Sequence, residues 1–283
     1  MAKKKKSTPP TIWARRAVQT SFALFILVSA YLHFADKGTN PSLDALCPFG
    51  AVETLWTYLT AGHFLPKTSV ANVILAIGLF VGTFVVGGAF CGWVCPFGAL
   101  QDALTWLQKK LHLPKVQVPA KWDKILSYGR FVVLAVIIYM SATTATLWFA
   151  DYDPYRTVFS LHWLFDFNTA AWLGYAIAVV LLVGGLFIPR LWCRYMCPLG
   201  GLIGLVQHLS PIKIRRDAEV CIDCGLCDRV CPMRLSVATA TAVSGDCIAC
   251  LECVERCPVK GSLNVSLGKL QPVVSGSSRY ETQ

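Results

Sequence analysis

Residues 221–232 read CIDCGLCDRVCP, and residues 247–258 read CIACLECVERCP. Both stretches follow the pattern C-x2-C-x2-C-x3-C-P, which is the signature of bacterial ferredoxins that hold two cubane iron–sulfur clusters. Three cysteines of each motif bind one cluster, and the fourth cysteine crosses over to the cluster of the other motif. The spacing therefore predicts a small α+β domain with two [4Fe-4S] clusters.

The crossed pattern assigns four cysteines to each cluster. The first cluster receives Cys221, Cys224, Cys227 and Cys257, and the second receives Cys247, Cys250, Cys253 and Cys231. The alternative is structural zinc, because paired C-x2-C units also bind zinc tetrahedrally. Eight cysteines in a doubled pattern, with a proline after each fourth cysteine, favour the clusters.

The composition is that of a membrane protein. Of the 283 residues, 55% are hydrophobic and 15% are charged, and the mean hydropathy is +0.53. A soluble domain has about 25% charged residues. The 13 cysteines are grouped in short motifs, which indicates metal chemistry in a reducing compartment and not a disulfide scaffold. The net charge of +10 does not indicate nucleic-acid binding, because the basic residues flank apolar segments.

Four apolar segments predict four transmembrane helices, at about residues 17–34, 70–90, 128–150 and 172–188. Each is close to the roughly 20 residues that a helix needs to cross the hydrocarbon core of a bilayer. The first segment also contains small residues at positions 28–30 that resemble a signal-peptide cleavage site. Because the apolar run continues to Phe34, we favour an uncleaved helix.

The distribution of basic residues orients the chain. Residues 91–127 contain five lysines, whereas residues 151–170 contain one arginine and residues 35–69 contain two lysines. Basic loops stay in the cytoplasm, so the N-terminus, the 91–127 loop and everything after Arg190 should be cytoplasmic. We therefore expect a multi-pass protein of the bacterial cytoplasmic (inner) membrane, with both termini and both clusters on the reducing cytoplasmic side.

The predicted fold is mainly helical and divides into four parts. Residues 1–16 form a basic cytoplasmic tail, and residues 17–210 form a four-helix membrane domain. Residues 211–262 form the cytoplasmic ferredoxin-like domain, and residues 263–283 form a flexible tail. Within the membrane domain, amphipathic segments follow the second and fourth spans and should lie along the cytoplasmic interface.

The membrane domain contains an internal repeat. Residues 89–98 read AFCGWVCPFG and residues 191–200 read LWCRYMCPLG, so each carries the motif C-x3-C-P. Both follow spans that run from outside to inside, which predicts parallel repeats related by an axis along the membrane normal. Proline disfavours helix at the residue before it, so the chain should break at Cys95 and again at Cys197.

The repeat contributes four further thiols. Packing of the two repeats would place Cys91, Cys95, Cys193 and Cys197 near one another at the cytoplasmic face. Such a set could bind an additional metal centre or act as a dithiol relay, although cysteine is also a common small buried residue. A weaker echo of the motif at Cys47 has no upstream cysteine and falls on the outer side, where we expect a structural role.

Other residues give weaker signals. Glu53, Asp151, Asp153 and Arg156 are expected on the outer face, where they could bind a quinone head group or simply form a solvated loop. Of the five histidines, only His33 lies at the end of a span, so an intrinsic heme is not expected. No nucleotide-binding or hydrolase motif occurs, which favours an electron-transfer subunit over a complete enzyme.

The chain resembles the NapH-type membrane polyferredoxins, a group that includes the NosR and MauN proteins. The resemblance covers the four spans, residues 55–67, both C-x3-C-P motifs and both cluster motifs. It implies a quinol dehydrogenase-type subunit that passes electrons between the quinone pool, or a cytosolic donor, and a periplasmic iron–sulfur, FMN-binding or reductase partner. The chain departs from NapH at residues 47–50 and 151–155, so the resemblance names neither the partner nor the pathway.

Two other classes of function stay open. The clusters could sense redox state in a regulator or maturation factor of a respiratory reductase, as in NosR-like proteins. The C-x3-C-P thiols could instead serve a metal-handling membrane protein. Quinol-dependent reduction of the clusters would favour electron transfer over the first alternative. Metal analysis after replacing the four thiols by serine would test the second.

Overall fold

The computed structural model describes residues 9–35, 47–61, 70–144, 148–160, 172–243 and 245–267. These residues form a helical body, which extends to residue 207, and a small domain with a three-stranded sheet. The expected combination of a mainly helical region with a small α+β domain is therefore confirmed.

The helical body consists of two halves with the same order of elements. The first half contains α1 (Pro10–Ala35), α2 (Pro48–Ala61), α3 (Val70–Val86), a π-helical turn (Phe90–Val94) and α4 (Pro96–Lys110). After α5 (Ala120–Ser127), the second half contains α6 (Gly129–Thr144), a 3-10 turn (Trp148–Asp151), α7 (Pro154–Phe159), α8 (Trp172–Phe187), α9 (Leu191–Tyr195) and α10 (Pro198–Gln207). In each half, a proline begins the short second helix and also the helix after the C-x3-C-P motif, where its missing N–H costs nothing.

The two halves pack against each other reciprocally. Helix α4 packs on α8, and the corresponding α10 packs on α3; likewise α2 packs on α6, and α7 packs on α1. Such exchanged contacts indicate two repeats related by an approximate two-fold axis, as the parallel motifs predict. Aromatic pairs fill the interface. The ring centroids of Phe49 and Phe149 lie 5.9 Å apart, and those of Phe97 and Trp192 lie 6.3 Å apart.

The four predicted spans each contain a helix, but the helices differ in length. Among the described residues, one helical stretch, Ala120–Thr144, is long and apolar enough to cross a membrane. The segments Val73–Val86 and Trp172–Phe187 are apolar but shorter. The arrangement of four membrane spans therefore stays a prediction.

Helix α1 begins earlier than the sequence predicts. It starts at Pro10, so residues 10–16 do not belong to the basic tail that was expected over residues 1–16. Arg15 is buried because its guanidinium donates to the carboxylates of Asp102 and Glu252 and to the carbonyl of Gly92. A charged side chain is expected to face solvent, but these ion pairs allow Arg15 to be buried. Residues 1–8 lie outside the described part of the chain.

The small domain is an antiparallel sheet in which β1 (Ile212–Arg216) is the central strand. It pairs with β2 (Ala242–Val243) on one side and with β3 (Leu263–Leu267) on the other. Two short helices, α11 (Leu226–Val230) and α12 (Glu252–Arg256), follow the two cysteine loops and pack on each other.

Strand β3 corrects the flexible tail that was expected over residues 263–283. Residues 263–267 pair along the whole of β1, and Leu263 is buried in the domain core beside Ile214. Burial of that side chain and a full set of strand contacts fix this segment in place. Residues 268–283 lie outside the described part of the chain.

Candidate metal centres

The first predicted set of ligands comes together around one small pocket. The pocket lining includes Cys221, Cys224, Cys227 and Cys257. The fourth cysteine of the second motif therefore lies beside the first three cysteines of the first motif. The loop turns tightly before α11 through left-handed backbone at Gly225, where φ is 62°. Three thiols thus come from one turn, and the fourth follows α12.

The second predicted set is buried where the small domain meets the helical body. Burial raises the pKa of the Cys253 thiol, and the charges of Cys250, Cys247 and Cys231 raise it further. Burial also raises the pKa of Cys247 to about 12 and that of Cys231 to about 11. Thiols in such surroundings bind as thiolates when a cation offsets their charge, and the irons of a cluster supply that charge.

The chemistry and the spacing of both sets fit iron–sulfur clusters. Thiolate sulfur is the soft ligand that these clusters use. Eight thiols in the doubled, proline-terminated pattern are the set that two such clusters use. A backbone amide also faces one of the thiols. Leu235 N lies 3.5 Å from Cys231 Sγ, a contact of the kind that tunes cluster potentials.

The loop of the second cluster motif rests on the turn that carries Cys91. Trp93 Nε1 donates to Ala249 O at 2.9 Å. The backbones approach so closely that a Cβ at Gly92 would lie 2.0 Å from Ile248 O. A side chain of any size at Gly92 would therefore push the loop away from the helical body.

Two ion pairs hold the small domain in this position. Arg130 Nη2 lies 2.6 Å from Asp246 Oδ1, and Arg15 Nη1 lies 3.2 Å from Glu252 Oε1. The arginines belong to the helical body and the carboxylates to the small domain. The pocket of the first cysteine set, in contrast, is lined only by residues of the small domain, and Cys224 is exposed. The second set is thus the one next to the helical body.

The four C-x3-C-P cysteines line a single cavity of about 210 Å³ inside the helical body. Both predicted breaks are confirmed, because Cys95 (φ −61°, ψ 117°) and Cys197 (φ −67°, ψ 112°) are extended just before α4 and α10. Each break frees backbone amides at a helix start, and Gly200 N donates to Cys197 Sγ at 3.3 Å. Each half thus contributes two thiols, Cys91 and Cys95 or Cys193 and Cys197, to one largely apolar space.

A fully buried arginine lies beside this cavity. Arg190 Nε and Nη2 donate to the two oxygens of Asp102 at 2.8 and 2.7 Å, and Nη1 donates to Cys91 O at 3.1 Å. Although burial opposes ionisation of Asp102, Arg190 and Arg15 hold the pKa of its carboxyl at about 2. The pair is therefore ionised at neutral pH. Sequence reasoning missed Arg190, although its place between an apolar span and a C-x3-C-P motif was a visible signal.

Cys47 lines the same cavity as the four C-x3-C-P thiols. Its position beside them was not predicted, and it arises because α2 starts inside the body, packed between α3 and α6. Its place on the outer side of the membrane stays a prediction. Cys47 precedes Pro48 at the start of α2, and Asp153 precedes Pro154 at the start of α7, so they hold corresponding places in the two halves. Asp153 also lines the cavity and accepts a hydrogen bond from Tyr155 N at 3.0 Å.

Two protein-family models match this chain. A model described as a 4Fe-4S binding domain matches twice, at residues 68–114 and 170–217, and so covers both C-x3-C-P repeats. A model described as a 4Fe-4S dicluster domain matches residues 213–258, which contain both cluster motifs. The double match confirms the internal repeat and supports iron–sulfur chemistry.

Several known proteins are similar along most of the chain. YccM of Escherichia coli (strain K12), described as a candidate electron transport protein, is 34% identical over 80% of this chain and 64% of its own length. The uncharacterized protein MJ0749 of Methanocaldococcus jannaschii is 32% identical over 74% of this chain and 78% of its own length. The ferredoxin-type protein NapH of Haemophilus influenzae is 28% identical over 84% of this chain and 80% of its own length. Proteins named NosR, NirI and MauN match as well. The chain belongs to the NapH/NosR-type polyferredoxins.

Several members of this family are named as ferredoxin-type or electron transport proteins. The match to YccM spans 64% of the length of that protein. No solved structure matches the polyferredoxin described here. The resemblance also rested on the segment at residues 55–67. Residues 62–67 of that segment lie outside the described part of the chain.

The polar residues that were predicted to form a quinone-head site do not lie together in the structure. Glu53 is buried and accepts a hydrogen bond from Ser141 Oγ at 2.6 Å. Asp151 and Arg156 form a surface ion pair of 3.0 Å, in which the Asp151 side chain is 77% exposed. Asp153 instead lines the thiol cavity. Because α2 and α7 pack inside the helical body, Glu53 and Asp153 are separated from the exposed pair of Asp151 and Arg156.

Proposed function

We propose that this polyferredoxin is the membrane subunit of a quinol dehydrogenase-type system, with two [4Fe-4S] clusters bound by the two four-cysteine sets. It passes electrons between the quinone pool, or a cytosolic donor, and a periplasmic or other extracytoplasmic redox partner. One observation carries the proposal. The second cysteine set is docked on the turn of Cys91, at the wall of a cavity inside the helical body.

The positions of the two sets suggest an order of electron transfer. Cys224 of the first set is exposed, so a soluble partner can approach that cluster closely. Cys250 and Cys253 of the second set are buried, which keeps water away from the second cluster. Electrons therefore move between the small domain's surface and the helical body through the first cluster and then the second, or in the reverse order.

Another part of the cavity lining favours entry of a redox partner from the membrane. Its lining includes Phe22, Phe25 and Leu75, whose side chains are also partly exposed on the surface of α1 and α3. Exposed apolar side chains of this kind favour contact with a bilayer or a partner. An apolar quinol that arrives through the bilayer would release two electrons and two protons on oxidation. Bound clusters would supply one-electron acceptors for the two electrons, and of the two protons Asp153 in the lining would take one and bulk water the other.

A regulatory role is the second candidate, because two relatives carry the name regulatory protein NosR. In that role the clusters would report the redox state of the quinone pool without steady turnover. Continuous oxidation of quinol in the presence of an added electron acceptor would support the electron-transfer role. A single reduction of the clusters, with no turnover, would support the regulatory one.

A redox titration of the purified full chain, followed by EPR, tests the proposal. We expect at least one cluster within about 120 mV of the quinone couple, since about 59 mV is a tenfold change in the equilibrium constant of a one-electron step. Midpoint potentials several hundred millivolts below the quinone couple for every cluster would contradict direct quinol oxidation.

Single serine variants assign the signals in that titration. The crossed pattern predicts that Cys221→Ser and Cys257→Ser perturb the same EPR signal, although the two residues belong to different motifs. Cys247→Ser and Cys231→Ser should perturb the other signal. Pairing by motif, with Cys221 and Cys231 acting on one signal, would contradict the crossed assignment.

A further inference from the structure

The four C-x3-C-P thiols act as one set. Cys91, Cys95, Cys193 and Cys197 all line the same cavity. Two thiols come from each half of the body, so the approximate two-fold axis relates them as matched pairs. Four converging thiolates are the ligand set that a cubane cluster takes.

The helical body also presents hydrogen-bond donors to these sulfur atoms. Gly200 N donates to Cys197 Sγ at 3.3 Å, and the amide of Gly98 lies in the corresponding place beside Cys95. Both amides belong to the first turns of long helices, α10 and α4, whose N-termini carry partial positive charge. N–H donors to sulfur stabilise thiolates and tune the potentials of iron–sulfur clusters.

Arg190 supplies a fixed buried charge of the required sign. Its guanidinium lies at the wall of the cavity, where Nη1 donates to Cys91 O at 3.1 Å. Four thiolates around a cubane leave a net negative charge, which is costly to bury without compensation. The guanidinium offsets part of that cost, although its ion pair with Asp102 already takes up part of its charge.

The cavity shares a wall with the second ferredoxin-type set. Cys247 and Ile248 contribute to its lining, and Cys91 packs against the buried cluster that contains Ile248 and Cys250. A single water needs only about 10–15 Å³ of such space. The volume of about 210 Å³ therefore admits a group much larger than one ion.

We propose that Cys91, Cys95, Cys193 and Cys197 bind a third [4Fe-4S] cluster inside the helical body. In the transfer step, the cluster of the second set loses one electron and the third cluster gains it, or the reverse. No bond forms or breaks, and no proton moves. The inference deepens the proposed function. Because iron can be counted without any electron donor or acceptor, its failure can be told apart from failure of the quinol dehydrogenase role.

Iron and sulfide analysis of the full chain tests the proposal. The chain would be purified anaerobically in detergent, reconstituted with iron and sulfide, and measured by Mössbauer spectroscopy. We expect about twelve irons per chain, all in [4Fe-4S] clusters, because each cubane contributes four. About eight irons per chain, or zinc in place of the additional iron, would overturn the proposal. This count needs no substitution, so it decides the matter even if a variant fails to fold.

A double variant locates the third cluster. Cys193→Ser combined with Cys197→Ser should lower the content to about eight irons per chain and leave the EPR signals of the two ferredoxin-type clusters in place. Cys47→Ser is the matched control, because Cys47 lines the same cavity but lies outside both C-x3-C-P motifs. It should retain about twelve irons. An unchanged iron content in the double variant, or an equal loss in the control, would overturn the assignment of these four ligands.

Discussion

Arg190 is the residue on which the interior of the helical body depends most. It is fully buried, it binds both oxygens of Asp102, and it holds the carbonyl of Cys91. Asp102 also pairs with Arg15 of α1, so one carboxylate joins three segments of the chain. Removal of the arginine would leave Arg15 alone to neutralise the carboxylate of Asp102 and would free the carbonyl of Cys91.

We expect Arg190→Gln to lower the free energy of unfolding by about 3–5 kcal/mol, the usual cost of breaking a buried ion pair from one side. Arg156→Gln is the matched control, since Arg156 pairs with the exposed Asp151 and such surface pairs contribute about 0–1 kcal/mol. Thermal unfolding of both variants in the same detergent measures the difference. Equal stability of the two variants would contradict the structural role of Arg190.

At the scale of residues, the cysteines that line each site could be predicted from the sequence, whereas most of the residues around them could not. Spacing within a motif is local, so the eight ferredoxin-type cysteines and the four C-x3-C-P cysteines could be named directly. The role of Arg190 and the position of Cys47 beside the thiol cavity were missed because both depend on contacts between distant segments. An arginine at the end of an apolar span also looks like an ordinary interface anchor.

The junction between the π-helical turn Phe90–Val94 and the loop at residues 247–249 is the element on which the proposed electron transfer depends. Gly88 and Gly92 both allow this approach, since a Cβ at Gly88 would lie 2.4 Å from Cys247 O. The junction brings the loop of the second cluster against the segment that carries Cys91. Any change that widens the junction should slow electron transfer steeply, while each domain keeps its own fold.

We expect Gly92→Ala to loosen this junction, because the new Cβ would lie 2.0 Å from Ile248 O and the backbone cannot yield without moving. Hydrogen exchange measured by mass spectrometry should show faster exchange in residues 247–257, with the helices of the body unchanged. Gly82→Ala in α3 is the control, since nothing lies within 4 Å of a Cβ at that position. Unchanged exchange in Gly92→Ala would mean that the junction is not as close as the structure shows.

At the scale of elements, prolines and hydrophobic runs were reliable guides. The breaks before Pro96 and Pro198 and the helices within the apolar runs follow from local chemistry. The short helices α2 and α7 were not expected, because their packing inside the body depends on the other half. Strand β3 was also missed, although its alternating Leu263, Val265 and Leu267 are a strand pattern that is simply too short to stand out.

The proposed function makes the whole molecule a chain of redox sites that leads from a surface to an apolar interior. The first cysteine set is partly exposed, the second lies at the domain junction, and the third set of thiols lies inside the helical body. The approximate two-fold symmetry of the body explains why this third set has four members. The family and the two ferredoxin-type sets could be predicted from sequence, whereas the single shared cavity required the packing of both halves.

Electron exchange between quinone and the clusters of the full chain tests this account most directly. The chain would be placed in lipid nanodiscs under anaerobic conditions, and the visible absorbance of the clusters would be followed by stopped flow. We predict that quinol reduces the oxidised clusters or that quinone oxidises the reduced ones, and that Cys250→Ser prevents the first cluster from taking part. Clusters that dithionite reduces, but that neither quinol nor quinone changes, would contradict the account.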